Sequence, residues 1–305
     1  MGLQLPKRGR RIGALAAVSS GLLLLGACSS EDRAEIKRLA MPVHATDRAE
    51  LIQDLWNGAW LAAMIVGVLV WGLIIYAAIR FRRRSDDEIP VQTRYNLPIE
   101  ILYTVAPVIM VLVLFFFTVQ TQNKVLATAS ESGPPDHTIE VVGQQWSWTF
   151  NYTNEDVLGS DDKTNDVYVV GTTADQPTLV LPKGESVRVN LNSPDVIHSF
   201  WVPAFLMKMD VIPGRHNGFE FTPTREGTYA GRCAELCGTY HSRMLFNLEV
   251  VSPEEYDQYL QGLKDDGNVG IALGASDAQT KAGLKDTQQN EEVQDDDTAQ
   301  NGAGE

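Results

Sequence analysis

Pro182-Lys-Gly-Glu-Ser-Val187-Arg-Val189-Asn-Leu191 is the stretch on which the fold turns. Val187, Val189 and Leu191 alternate with Ser186, Arg188 and Asn190, the two-residue period of a strand with one face in a core. Pro182-Lys183-Gly184-Glu185 supplies the turn ahead of it. Working outward, further short β-rich runs divided by Gly, Pro, Asn and Asp predict strands at 139–143, 146–152, 167–171, 178–181, 196–202, 217–221, 227–231 and 244–251. Many short strands at this spacing suggest an antiparallel sandwich or barrel over residues 138–251. About 110 residues is enough for one such domain with its own core.

Upstream of a linker at 121–137, residues 56–79 and 99–119 are almost wholly apolar or small, each long enough for the roughly 20 residues of a membrane span. They predict two transmembrane helices, 47–80 and 98–120, and Asp47 with Glu50 reads as a capping box for the first. The connection at 81–97, with Arg80 just before it, brings Arg82, Arg83, Arg84 and Arg94 together, which places it in the cytoplasm despite Asp86, Asp87 and Glu88. Both chain ends then lie outside the cell.

The first apolar run, 12–25, follows Lys7, Arg8, Arg10 and Arg11 and ends in Leu-Gly-Ala-Cys28. It reads as a signal peptide, 1–27. The Cys28 junction resembles that of bacterial lipoproteins, in which the cysteine is lipidated and begins the mature chain, here followed by an extracytoplasmic segment, 28–46. An ordinary signal peptide or an uncleaved anchor are the alternatives.

The 305 residues carry a net charge of -14, with 39 Asp and Glu against 25 Lys and Arg, which excludes a protein built to neutralise nucleic-acid phosphates. Residues 252–305 hold 13 acidic and three basic residues, so most of that charge belongs to the tail. A short helix is predicted at 254–264, and beyond it the composition reads as a disordered, solvating segment. Three cysteines are too few for a disulfide-built scaffold.

The densest chemistry is Cys233-Ala-Glu-Leu-Cys237-Gly-Thr-Tyr-His241-Ser-Arg-Met244. Two thiols, an imidazole and a thioether favour copper over zinc, which rarely recruits Met. A mononuclear blue-copper site needs only one cysteine, whereas two thiolates can bridge two copper ions, each then wanting an imidazole. His198, in Asp195-Val-Ile-His198-Ser-Phe-Trp201, is the best second imidazole; His44, His137 and His216 are weaker candidates. A disulfide between Cys233 and Cys237 is the structural alternative.

These residues, with Gln145-Trp146-Ser147-Trp148, Lys208-Met-Asp210 and Ile212-Pro-Gly-Arg215 in the same order behind a two-helix hairpin, resemble subunit II of cytochrome c oxidase over roughly 45–251. The resemblance implies a cupredoxin-like sandwich in which Cys233 and Cys237 bridge a binuclear copper centre, CuA. His198 and His241 would bind one copper each, with Met244 and the backbone carbonyl of Glu235 as weak donors. The Glu235 side chain would contribute to a magnesium site shared with subunit I, and haem would belong to that partner alone. Trp146 would be the electron entry point, against a default reading as a packed strand aromatic. Glu100 would sit at the mouth of a proton pathway, although a carboxylate also suits a helix N-terminus for its own sake. Asp195 would belong to an acidic surface that docks the donor, or else be a solvated loop carboxylate.

Implied partners are subunit I and other oxidase subunits, membrane lipid, and a c-type cytochrome donor, soluble or within a cytochrome bc complex. A quinol oxidase subunit lacks these copper ligands. A copper chaperone would not need the Trp motif, and a nitrous oxide reductase needs a catalytic domain for which the chain has no room.

Overall fold

The computed structural model describes residues 30–85, 89, 92–128, 133–153 and 166–273. Cys28, the predicted signal peptide and most of the acidic tail lie outside the described residues. Among the described residues, those up to Val43 and those from His44 form separate units. In the first, Ser30–Lys37 forms a short helix, α1, where the sequence reading placed no element.

The second unit opens with helix α2, Asp47–Arg80, and helix α3, Leu97–Val125. Their 34 and 29 residues reach about 51 and 44 Å at 1.5 Å per residue, more than the ~30 Å hydrocarbon core of a bilayer. Their apolar central windows are unburied, as surfaces made for lipid or for other spans would be. The cap of α2 differs from expectation. Thr46 is the N-cap, its Oγ1 accepting from Ala49 N–H at 3.2 Å, while Asp47 is already helical and uses Oδ1 to accept from Thr222 N–H at 2.8 Å. Helix α3 continues past the apolar run predicted to end at 120, because residues 121–125 are compatible with helix and Val125 finds burial.

The strands are β1 His137–Gln144, β2 Ser147–Thr153, β3 Val167–Val170, β4 Thr178–Pro182, β5 Val187–Asn192, β6 His198–Val202, β7 Met207–Val211, β8 Asn217–Phe221, β9 Gly227–Cys233 and β10 Leu245–Val251. They make two five-stranded sheets, β3-β2-β1-β5-β8 and β4-β10-β9-β6-β7. The β1–β5 and β4–β10 pairs are parallel and the others antiparallel. Strand β7 is absent from the predicted strands: Met207, Met209 and Val211 alternate, but only Val211 is buried, so the period is short and half-exposed. The alternation in β5 does bury Val187, Val189 and Leu191 completely.

Between the sheets Trp148, Phe200 and Phe246 meet at ring distances of 4.9–5.8 Å, and each large apolar side chain buried here contributes about 1.5–3 kcal/mol. Helix α4, Pro253–Asp265, carries a Ser252/Glu255 capping box and buries Tyr256, Leu260 and Leu263. Beyond it the chain crosses to the other sheet, where the Asn151 amide exchanges two hydrogen bonds with the backbone of Ala272.

Candidate metal centre

Three neighbouring segments deliver the donor atoms to one end of the sandwich. His198 is the first residue of β6, Cys233 the last of β9, and Cys237, His241 and Met244 follow in the loop that returns to β10. Strands β6 and β9 pair Phe200 with Cys233, so the register fixes the thiol near the imidazole. The Cys233 and Cys237 sulfurs are 3.8 Å apart, far beyond the ~2.05 Å of a disulfide bond, and both thiols are free and buried. The disulfide alternative is thus not the form seen. His198 Nδ1 lies 3.9 Å from the Cys233 sulfur and His241 Nδ1 3.6 Å from that of Cys237. The fully buried Met244 thioether stands 3.8 Å from Cys237, and the Glu235 carbonyl 3.2 Å from Cys233. The Glu235 carboxylate is exposed.

Hydrogen bonds set the orientation of these groups. The Asp195 carboxylate accepts from His198 Nε2 at 2.8 Å, leaving Nδ1 turned towards sulfur, and also accepts from Gln145 N–H and Val196 N–H, each at 2.6 Å. Its side chain is 3% exposed, so Asp195 is not the solvated loop carboxylate of the alternative reading: its oxygens are bonded into the site. Burial opposes its ionisation, but the hydrogen bonds from His198, Gln145 and Val196 outweigh that and hold the carboxyl below its usual range. For His198, burial favours the neutral ring, while Asp195 and Cys233 favour the imidazolium more strongly and raise its pKa. The Cys233 thiol is pulled down to about 3, chiefly by the hydrogen bond from Cys237, against burial. Cys237 is pushed up because its proton is shared with the neighbouring sulfur. An ion bound to both sulfurs as thiolates would displace the proton they share.

Trp146 departs from its expected strand. It and Gln145 form the two-residue tip between β1 and β2, joined by a cis peptide. From that tip Gln145 Nε2 donates to the Cys237 carbonyl at 2.6 Å and half-buried Trp146 Nε1 to the same oxygen at 3.2 Å, while Tyr240 packs edge-on against the indole at 5.0 Å. Gly238, at φ +122°, leaves the room this needs, since a Cβ there would stand 3.1 Å from both Gln145 and Trp146. Gln145 was not singled out from sequence, and its only signal was membership of the Gln-Trp-Ser-Trp run. Trp148 was likewise unassigned: fully buried, it donates to the Met244 carbonyl at 3.4 Å.

Of the other histidines, His137 pairs with Glu185 and His216 with Asn192, and neither belongs to the metal-ligating group that the described residues form around His198, Cys233 and Cys237. Glu100 uses its carboxylate to accept from Asn96 N–H at 2.9 Å at the start of α3, the local role open to it from sequence.

Two thiols with an imidazole Nδ1 beside each, a carbonyl beside the first and a thioether beside the second suit soft, thiophilic copper. Residues 137–251 match the family described as the cytochrome c oxidase subunit II periplasmic domain, and residues 34–121 its transmembrane domain. A probable cytochrome c oxidase subunit 2 of Streptomyces avermitilis is 48% identical, covering 90% of this chain and 94% of that one. The Mycobacterium bovis cytochrome c oxidase subunit 2 is 36% identical over 88% of this chain and 86% of its own. Among solved structures, the periplasmic domain of subunit II of cytochrome oxidase from Bradyrhizobium japonicum is 31% identical, covering 44% of this chain and 97% of that one at a TM-score of 0.37. Both domains, in order, and the identity along nearly the whole chain place this protein in the cytochrome c oxidase subunit II family, a component of haem-copper oxidases.

Proposed function

We propose that this chain is the electron-relay subunit of a terminal respiratory oxidase. It accepts electrons from a c-type cytochrome at the outer face of the bacterial plasma membrane. It passes them to haem in subunit I, where oxygen is reduced to water with proton translocation. The observation that carries this reading is the pair of buried sulfurs 3.8 Å apart with one imidazole Nδ1 against each.

Cys233 and Cys237 would bridge two copper ions, with His198 on one, His241 on the other, and Met244 and the Glu235 carbonyl as weak donors. Bound there, the copper pair supplies reversible one-electron exchange with the charge shared across two sulfurs. The protein's part is to hold the donors still: His198 and Cys233 are fixed by strand register, and Asp195 fixes the imidazole. Trp146 is the entry point for electrons, since its indole is half-buried at a hairpin tip and hydrogen-bonded to the Cys237 carbonyl. The exposed Glu235 carboxylate is free to join a magnesium site with subunit I. Glu100 stands at the cytoplasmic end of α3 for proton uptake, the Arg-rich connection lying on that side with both chain ends outside. Cys28 carries the lipid anchor.

The test is to purify the full chain in detergent, load copper under reducing conditions, count metal and record the electron spin resonance spectrum. About two coppers per chain sharing one unpaired electron are expected. A single copper without a mixed-valence signal would overturn the reading.

A further inference from the structure

The start of α2 is tied to three parts of the protein at once. Ala45 N–H donates to the Ala204 carbonyl at 2.9 Å, and the Ala45 carbonyl accepts from Thr224 N–H at 2.8 Å. Thr46 bridges Pro223 in antiparallel fashion. Asp47 N–H donates to the Thr222 carbonyl at 3.1 Å, while Asp47 Oδ1 accepts from Thr222 N–H at 2.8 Å. One residue on, Arg48 Nη1 donates to the Lys124 carbonyl at 2.7 Å, near the outer end of α3. Ala45 and Ala49 are wholly buried and Thr46 is 1% exposed, so the backbone of the joint is enclosed, while the Asp47 and Arg48 side chains, 41% and 26% exposed, tie it down at its edge.

The segments it grips decide its meaning. Ala204 lies two residues beyond β6, the strand that begins with His198, and residues 222–224 lead into β9, the strand that ends with Cys233. These two strands run from the joint to the candidate copper ligands, a span of about 20 Å for the seven residues of β9 at roughly 3.3 Å each. A rotation at the joint therefore displaces the ligand end as a lever does.

We propose that Asp47 and Arg48 are positioning residues, forming a clamp that holds the ligand-bearing strands at a fixed height and tilt over the membrane hairpin. The clamp thereby fixes the distance over which electrons leave for the partner's haem. This role rests on the electron-relay reading above; the hydrogen bonds of the clamp do not.

The test uses the assembled oxidase with wild-type chain, Asp47→Ala, Arg48→Ala and Asp47→Asn, which keeps an oxygen acceptor for Thr222. Hydrogen exchange at the Thr222 amide should quicken roughly tenfold in Asp47→Ala, the scale of one lost hydrogen bond, and much less in Asp47→Asn. In membranes stacked on a flat support, the orientation of the copper resonance signal should spread in both alanine variants. Electron passage from copper to haem should slow severalfold with copper content unchanged, and Asp47→Asn should restore both. Unaltered exchange in Asp47→Ala, or faster exchange with wild-type orientation and transfer rate, would overturn the proposal. Absence of a two-copper signal in the wild type would overturn the relay reading and the positioning role with it, and normal exchange protection at Thr222 would distinguish that failure from failure of the clamp.

Discussion

Replacing Asp195 by alanine tests whether the histidine on β6 is held by its carboxylate partner. The side chain is 3% exposed and accepts three short hydrogen bonds, from His198 Nε2 and the N–H groups of Gln145 and Val196. Each bond to an ionised acceptor contributes about 1.5–3 kcal/mol, but they share one acceptor and do not add independently. Removing one partner from a buried pair typically costs about 3–5 kcal/mol, and that is the loss expected for Asp195→Ala. Copper affinity should fall about 10- to 100-fold, the usual effect of deleting the carboxylate behind a metal-binding imidazole. Full chain in detergent would be unfolded with denaturant and followed by near-ultraviolet circular dichroism, which reports the packing of Trp148. Copper would be titrated against a competing chelator. Asp195→Asn, which keeps an oxygen acceptor, should lose less on both counts. Wild-type copper affinity and stability in Asp195→Ala, together with a raised KM for the donor cytochrome, would refute the orienting role and leave Asp195 to the docking surface.

Gly231→Ala should destabilise the sandwich by about 1–3 kcal/mol, read as a lower denaturation midpoint, because the added Cβ would stand 2.2 Å from the Phe246 ring. That ring is 1% exposed and stacked on Phe200 at 4.9 Å, so it has little room to yield. Trp146→Phe should slow electron entry from reduced cytochrome in stopped-flow mixing, while copper content stays at the wild-type level. The Ser186 hydroxyl and N–H hold the Asp136 carboxyl below its usual range. This exposed group therefore contributes a small stabilisation that is present above about pH 4 and lost as pH falls through the lowered folded value. Asp136→Asn should flatten that acid limb in a melting series, losing the small stabilisation at neutral pH and matching the wild type below the folded value.

Much of the fold was legible because its signals are local. Two apolar runs longer than a bilayer is thick can satisfy their backbone in lipid only as helices, and the alternation in β5 leaves one arrangement that buries valine and leucine. The donor residues were legible for a chemical reason, since two thiols, a histidine and a methionine within twelve residues have few other uses. Contacts between distant segments were not. Thr46 replaced Asp47 as the cap because Asp47 bonds Thr222, 175 residues away, and no window of sequence contains that bond. Strand β7 escaped because its alternation is short and half-exposed, and it is strand only by pairing with β6.

The sequence alone determined the kinds of atom at the candidate metal centre, the two membrane-crossing helices and the period of the strands. These follow from side-chain chemistry and from the 2.0 and 3.6 residue periods of the backbone. Tertiary structure decided which way those atoms point. Pairing of β6 with β9 sets His198 beside Cys233, the β1–β2 tip brings Gln145 and Trp146 onto the Cys237 carbonyl, and burial turns Asp195 from a surface charge into the partner of an imidazole. Each depends on segments 35 to 92 residues apart or on solvent exclusion, which become physical only when the sheets close on one core.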